Sequence, residues 1–346
     1  MNEPMTELTV VIINDSATMR VALRKCLEQA PDIRVVAEIA SGAEAAMAVA
    51  EHRPSCVLMD VVMPGLDGFG ATRAIMASTP TPILMVTAVA DPRSAKIVFD
   101  ALSAGALLVV AAPPAPDSAE YVSACRSLAQ YVRIVSRTKI RGVARGARPS
   151  PVSKTVARGA VEIVGIVASA GGPPALADLL SALPRKTMPP ILVVQHILSG
   201  FAPSLARWLG DSTGHEVVIP RDGAPLERGV IYVAPDGVHL GAVSGPRVSL
   251  SDDPAIGRFR PSATHLLRSL ARNFGRRALG VVLTGMGSDG AEGAAELRAA
   301  GGRIVVQNEA TSSIFGMPQA VIRTGAANSI LPLDRIPQWI VEAVEQ

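Results

Sequence analysis

The sequence predicts two α/β domains in tandem: a small doubly wound parallel sheet first, then a larger, mainly parallel one with an antiparallel hairpin region. Three observations predict this. Apolar, β-branched runs alternate with segments of helical period through both halves of the chain, the pattern of strands buried on two faces. The 346 residues exceed what a single core of ordinary size uses. Hydrophobic residues make up 49% of the chain and aromatic ones only 3%, so the cores are filled by Ala, Val, Leu and Ile, which suits strands covered by helices.

In the first half, strands are expected at Leu8–Ile13, Ile33–Ala37, Cys56–Met59, Ile83–Val86 and Ala106–Ala111, with helical periodicity at Met19–Leu27 and Ala43–Ala50. Five such units make a small doubly wound domain over residues 1–135. From Tyr121 to Val161 there are nine basic residues and no acidic one, and the later part adds Gly142, Gly146, Pro149, Pro151 and Gly159. Residues 136–159 therefore read as an extended, self-repelling connector. The alternation restarts over 160–346. Strands are expected at Val161–Ala168, Ile191–Gln195, Val230–Ala234, Ala278–Leu283 and Arg303–Gln307. Helices are expected at Pro173–Ala182, Ala202–Leu209, Ser262–Phe274 and Ala291–Ala300. Turn signals at Asp222-Gly223 and Asp236-Gly237 mark Pro220–Leu250 as hairpins, making this sheet mixed at one edge.

A net charge of +3 gives no argument for nucleic acid. The longest uncharged stretch, Ala101 to Pro116, is broken by Gly105 and prolines and is no membrane span. Cys26, Cys56 and Cys125 are too widely spaced to suggest a disulfide framework or a metal site, so a reducing, cytoplasmic setting is expected.

Ligands of an open parallel sheet bind where loops leave the carboxyl ends of the strands. Strand Val161–Ala168 runs into Ser169-Ala-Gly-Gly-Pro173, a serine on a glycine-rich strand-to-helix turn where backbone amides can face a developing negative charge. Of the five histidines, His196 alone follows a buried apolar strand at its carboxyl end, which makes it the candidate general base. Asp289 is the acid of the loop Thr284-Gly-Met-Gly-Ser-Asp-Gly290, after the strand Ala278–Leu283, and is placed to orient an imidazole. Each residue alone has a plainer reading: a helix cap, a hydrogen-bonded core histidine, a turn aspartate. Their coincidence at three strand ends favours a serine hydrolase of unspecified substrate. A nucleotide-binding regulator would use such glycine loops too, but neither loop matches a phosphate-binding fingerprint.

Taken together, the runs Ile166-Val-Ala-Ser-Ala-Gly-Gly-Pro173, Val194-Gln-His196, Ala234-Pro235 with His239-Leu240, Arg260-Pro-Ser262, Leu283-Thr-Gly-Met-Gly-Ser-Asp-Gly290 and Phe315-Gly-Met-Pro318 resemble the response-regulator methylesterases of bacterial chemosensory systems, the CheB family. The resemblance implies hydrolysis of γ-glutamyl methyl esters on chemoreceptor helices, and deamidation of receptor glutamines in many members. It implies Ser169 as nucleophile, His196 as base, Asp289 as orienting acid and the backbone N–H of Met286 at the oxyanion site. Ala170 departs from the threonine usual there, which removes a hydroxyl beside the nucleophile.

The first domain resembles the receivers of response regulators, with Asp60 as phosphoacceptor, Thr87 as switch hydroxyl and a Mg²⁺ site at Asp15 and Asp60. The resemblance implies two partners, methyl-accepting chemoreceptors and a histidine kinase of the chemosensory type. It also implies a receiver that covers the esterase site until it is phosphorylated. Asn14 replaces an acid that would face Mg²⁺, and Ala112 replaces a lysine that would pair with the phosphoryl group, so weak coupling to phosphorylation is expected. The competing reading is a non-catalytic signalling adaptor that binds a kinase or receptor through its receiver.

Overall fold

The computed structural model describes residues 7–87, 92–138 and 160–345. They form two compact units. In the first, the elements run β1 (Leu8–Ile13), α1 (Ala17–Leu27), β2 (Ile33–Ile39), α2 (Ala45–His52), β3 (Cys56–Asp60), α3 (Gly68–Ser78), β4 (Ile83–Thr87), α4 (Pro92–Ser103), β5 (Leu108–Ala111) and α5 (Tyr121–Ser136). The five strands are all parallel, in the order β2-β1-β3-β4-β5. The order reverses after β1, and that is where the carboxyl ends of β1 and β3 leave a crevice. Helix α1 starts where the Ser16 hydroxyl accepts the Met19 amide, and α3 starts where the Asp67 carboxylate accepts the Gly70 amide.

On one face of this sheet α1 and α5 pack together, and the sulfurs of Cys26 and Cys125 are bonded across a separation of 99 residues. This corrects the expectation that the cysteines form no disulfide. Wide spacing carries no such signal, because helix packing rather than sequence proximity brings the two sulfurs together. Cys56 on β3 stays a buried free thiol, its pKa pushed up to about 12 by burial. The basic segment expected as a linker lies outside the described residues from position 139 onward.

The second unit runs β6 (Ile163–Ala168), α6 (Gly172–Ser181), β7 (Ile191–Gln195), α7 (Ala202–Thr213), β8 (Glu216–Val218), β9 (Val230–Val233), β10 (His239–Val243), β11 (Arg247–Ser251), α8 (Ala263–Asn273), β12 (Ala278–Val282), α9 (Ala291–Ala299), β13 (Arg303–Gln307), α10 (Met317–Arg323), β14 (Ser329–Leu331) and α11 (Ile336–Glu345). Seven strands pair in the order β14-β13-β12-β6-β7-β9-β8, every pair parallel. The antiparallel hairpin is present, but β10 and β11 form their own two-stranded sheet, so the expected mixed edge is corrected to a parallel one. The carbonyls and amides of Glu216–Val218 take up the edge of β9, leaving the hairpin no place in the main sheet. Strands β6, β7, β12 and β13 are buried along their whole length, which explains their unbroken apolar runs. Helix α8 has the strongest apolar stripe; Leu266, Leu267 and Leu270 are buried in the core it shares with β6 and β12.

Candidate active site

Strands β6 and β7 are neighbours with Ala168 opposite Gln195, so the next residues, Ser169 and His196, emerge side by side. The His196 amide donates to the Ala168 carbonyl at 3.0 Å. The chain turns sharply after Ser169: Gly171 takes the left-handed conformation at φ 72°, which a side chain would resist, and α6 begins at Gly172. Helix α6 starts so close to the sheet that a Cβ on Gly172 would lie 2.9 Å from the Ala168 Cβ. This is the strand-turn-helix elbow the sequence predicts for Ser169.

Gln195 binds the two loops together. Its Nε2 donates to the Ser169 carbonyl at 2.7 Å and to the His196 carbonyl at 2.8 Å. Gln195 stands in the Val194-Gln-His196 run, but the sequence assigns it no role. The signal was present, since a glutamine closing a fully buried strand needs partners for its amide. Gln307 does the same at the end of β13, accepting the Thr284 amide at 2.7 Å and donating to the Thr311 carbonyl at 2.8 Å.

The loop after β12 brings in Asp289. Its Oδ2 lies 2.8 Å from His196 Nε2 and accepts the Ala263 amide at 2.7 Å. Its Oδ1 accepts the Ser262 hydroxyl at 2.8 Å and the Thr264 amide at 3.0 Å. Burial alone would raise its pKa. The hydrogen bond and charge of His196, the Thr264 amide and the Ser262 hydroxyl together outweigh it and hold the carboxyl down at about 2. Asp289 is thus an anion at the start of α8, where the helix dipole also favours one.

Because Asp289 occupies Nε2, the ring nitrogen left for a reacting proton is Nδ1. It is buried and has no hydrogen-bond partner. In the same loop, the Gly285 carbonyl accepts the Gly316 amide at 3.0 Å and the Met317 amide at 2.9 Å. A trans peptide points its N–H opposite its carbonyl, so this anchoring turns the Met286 amide away from α10. Gly285 also lies against the serine, since a Cβ there would sit 2.8 Å from the Ser169 Cβ. The Phe315-Gly-Met-Pro318 run thereby acquires a structural role. The buried Ala170 side chain, 1% exposed, fills the space beside the serine with a methyl group.

The receiver residues also meet at strand ends. Ile13 lies opposite Met59, so Asn14 and Asp60 come side by side. Asp60 is half-buried, and its pKa is raised by burial and, against its amide hydrogen bonds, by the nearby Asp15 charge. Asn14 is buried and its Oδ1 accepts the Ser16 amide at 2.8 Å, so the side chain serves the start of α1. Thr87 is buried at the end of β4, and Ala112 packs against the core after β5. Among the described residues no group of three His, Cys, Asp or Glu side chains gathers as a metal cage. Asp60 and the Asp15 whose charge it feels are a donor set that suits Mg²⁺, which keeps several waters and needs only one or two carboxylate ligands.

Fold and geometry together define a class, an α/β hydrolase of the serine type carrying a receiver domain. Residues 164–340 match the family model described as CheB methylesterase, and residues 10–118 that described as response regulator receiver domain. The chain belongs to the CheB methylesterase family. It is 41% identical to protein-glutamate methylesterase/protein-glutamine glutaminase 3 of Anaeromyxobacter dehalogenans, over 96% of this chain and 99% of that one. It is 40% identical to the protein of the same name from Myxococcus xanthus, over 97% of this chain and 94% of the relative. The crystal structure of the Thermotoga maritima CheB methylesterase catalytic domain is 35% identical and aligns with 53% of this chain and 98% of its own, at a TM-score of 0.51. No helix among the described residues is long and apolar enough to cross a membrane.

Proposed function

We propose that this chain hydrolyses γ-glutamyl methyl esters on the cytoplasmic helices of methyl-accepting chemoreceptors, and that it deamidates receptor glutamines by the same chemistry. The observation that carries the reading is the His196–Asp289 pair beside Ser169, with Nδ1 uncommitted. The Ser169 hydroxyl attacks the ester carbonyl while His196 Nδ1 takes its proton. Asp289 stabilises the imidazolium through Nε2–H. The negative charge on the tetrahedral oxygen faces the Met286 amide. His196 then returns the proton to the methoxide, methanol leaves, and the acyl group remains on Ser169. A water, deprotonated by His196, attacks the acyl carbon; the proton returns to Ser169 and the glutamate is released. With a glutamine substrate the leaving group is ammonia and every other step is the same.

The receiver regulates this reaction through Asp60, which accepts a phosphoryl group from a chemosensory histidine kinase, with Thr87 sensing it. Asp15 and Asp60 would hold Mg²⁺ there, which would supply positive charge toward the phosphoryl oxygens. The substrate, a cytoplasmic helix of a receptor, puts the work in the cytoplasm.

Methanol release from a methylated receptor fragment tests the reading. Ser169→Ala and His196→Ala each lose several orders of magnitude in kcat while the protein stays folded, because the residues act as a unit. Near wild-type release by Ser169→Ala would make the serine mechanism wrong, and no release by the natural chain would leave the adaptor reading in its place.

A further inference from the structure

No step of that reaction touches His239, which opens β10 and is fully buried. Its Nδ1 faces the backbone N–H of Ser262 at 3.2 Å, and its Nε2 faces the Pro254 carbonyl oxygen at 3.2 Å. An amide N–H only donates and a carbonyl only accepts. Nδ1 must therefore hold the lone pair and Nε2 the proton. The neutral imidazole satisfies both contacts, whereas a protonated one would set two donors against each other at Ser262. His265 of α8 stacks on the ring, centroids 4.5 Å apart and planes at 11°. Arg268 and Arg272 line the same small recess of about 180 Å³, with Asp253 as its acid.

Ser262 is where this contact matters. Its hydroxyl and the amides of Ala263 and Thr264 supply three of the four hydrogen bonds on the Asp289 carboxylate, and His196 supplies the fourth. The Ser262 amide is the one N–H of residues 262–264 not spent on Asp289, and His239 takes it. We propose that His239 is a positioning residue for the esterase site: by accepting the Ser262 amide it fixes the peptide that aims three donors at Asp289, and so keeps that carboxylate in line with His196. The proposal rests on the reading of Ser169, His196 and Asp289 given above. Without the acceptor, a buried N–H is left unsatisfied and the peptide turns to find another partner, taking the Ser262 hydroxyl with it. Substrate binding is untouched, because His239 is sealed from solvent.

Three variants of the full chain separate this role from packing. In His239→Asn the side-chain oxygen stands near the place of Nδ1 and still accepts the Ser262 amide. His239→Gln puts its amide near the place of Nε2 and keeps the Pro254 contact instead. His239→Leu keeps bulk alone. Methanol release and the downfield proton resonance of the His196–Asp289 hydrogen bond are measured on each, beside Ser169→Ala. The expected result is a loss of about tenfold in kcat with KM unchanged for Leu and Gln, the worth of one hydrogen bond expressed in the transition state. Their His196–Asp289 resonance shifts upfield, and Asn restores both readouts. Should Leu fail to fold, Asn against Gln still decides. Asn no better than Gln, or Leu with wild-type kcat and resonance, would overturn the positioning role. Activity surviving in Ser169→Ala would overturn the serine mechanism on which the proposal rests, a result that no outcome at His239 can imitate.

Discussion

The imidazole of His196 lies face to face with the phenyl ring of Phe259, centroids 4.1 Å apart and planes at 9°. Phe259 sits on a tight turn in which it exchanges both backbone hydrogen bonds with Ile256, at 3.1 and 3.2 Å. The Arg258 guanidinium stands over the same ring, 5.6 Å from its centroid. The ring fixes the plane of the imidazole, and in the proposed reaction its negative face would favour the positive charge that His196 gains with the serine proton.

Phe259→Leu keeps an apolar wall but loses that face. We expect kcat to fall about three- to tenfold, the equivalent of roughly 1 kcal/mol of stacking and cation–π attraction. Phe259→Tyr should retain activity. Single-turnover methanol release distinguishes them, and equal rates for Leu and wild type would reduce the stack to packing.

Asp289 gives the second unit a defined acid limit. Its pKa is about 2 when folded against an ordinary carboxylate value of 3.8, so the folded state binds the proton less readily than the unfolded chain. The stability this contributes, about 2 kcal/mol, is complete above the unfolded pKa and is lost as pH falls from about 4 through 2. Asp289→Asn removes the titrating group and should flatten that part of the curve. Urea unfolding of both proteins at several pH values between 5 and 2 measures it; parallel curves would show that the group contributes nothing.

The receiver should respond weakly to phosphorylation. Asn14 brings no negative charge to the crevice and already uses its oxygen on the Ser16 amide, and the Ala112 methyl carries no cation. A bound phosphoryl group shifts an equilibrium only by its different contacts in the two states, and here it has fewer. A small-molecule phosphodonor with Mg²⁺ should raise methanol release by no more than about threefold. Asn14→Asp with Ala112→Lys should enlarge the response, with Asp60→Ala as the baseline. Strong Asp60-dependent activation of the natural chain would show that both departures are tolerated.

The cysteine pairing is checked by counting thiols. Unfolded without reductant, the chain should expose one reactive thiol, Cys56, and after reduction three. Cys125→Ser should lower receiver stability by about 2–4 kcal/mol, because a long loop of the unfolded chain is no longer closed. It should leave basal methanol release unchanged. Three thiols without reductant would mean that Cys26 and Cys125 are not joined.

Much of this was readable from local pattern. Buried parallel strands print apolar runs into the sequence, and the residues that follow them inherit positions in the crevice; that is why Ser169, His196 and Asp289 stood out. Glu216–Val218 and Ser329–Leu331 were not foreseen, because three-residue edge strands carry too little periodicity to separate from a loop. Phe259, His239 and the cysteine pair escaped for a different reason. Each acts through a partner far away in the chain, His196, Ser262 and each other, and no periodicity records such a meeting. Gln195 lay between these cases, its oddity visible and its partners not.

The two glutamine-held strand ends and the start of α8 have a mechanical consequence. Ser169 and His196 hang from one side chain, Gln195, so thermal motion carries them together. Asp289 takes its bearing from the first turn of α8 instead. The site is therefore built on two footings, spanned by the 2.8 Å contact between His196 and Asp289. A force that slides α8 along the sheet loads that seam first. It would silence the proton relay while leaving the serine elbow undisturbed.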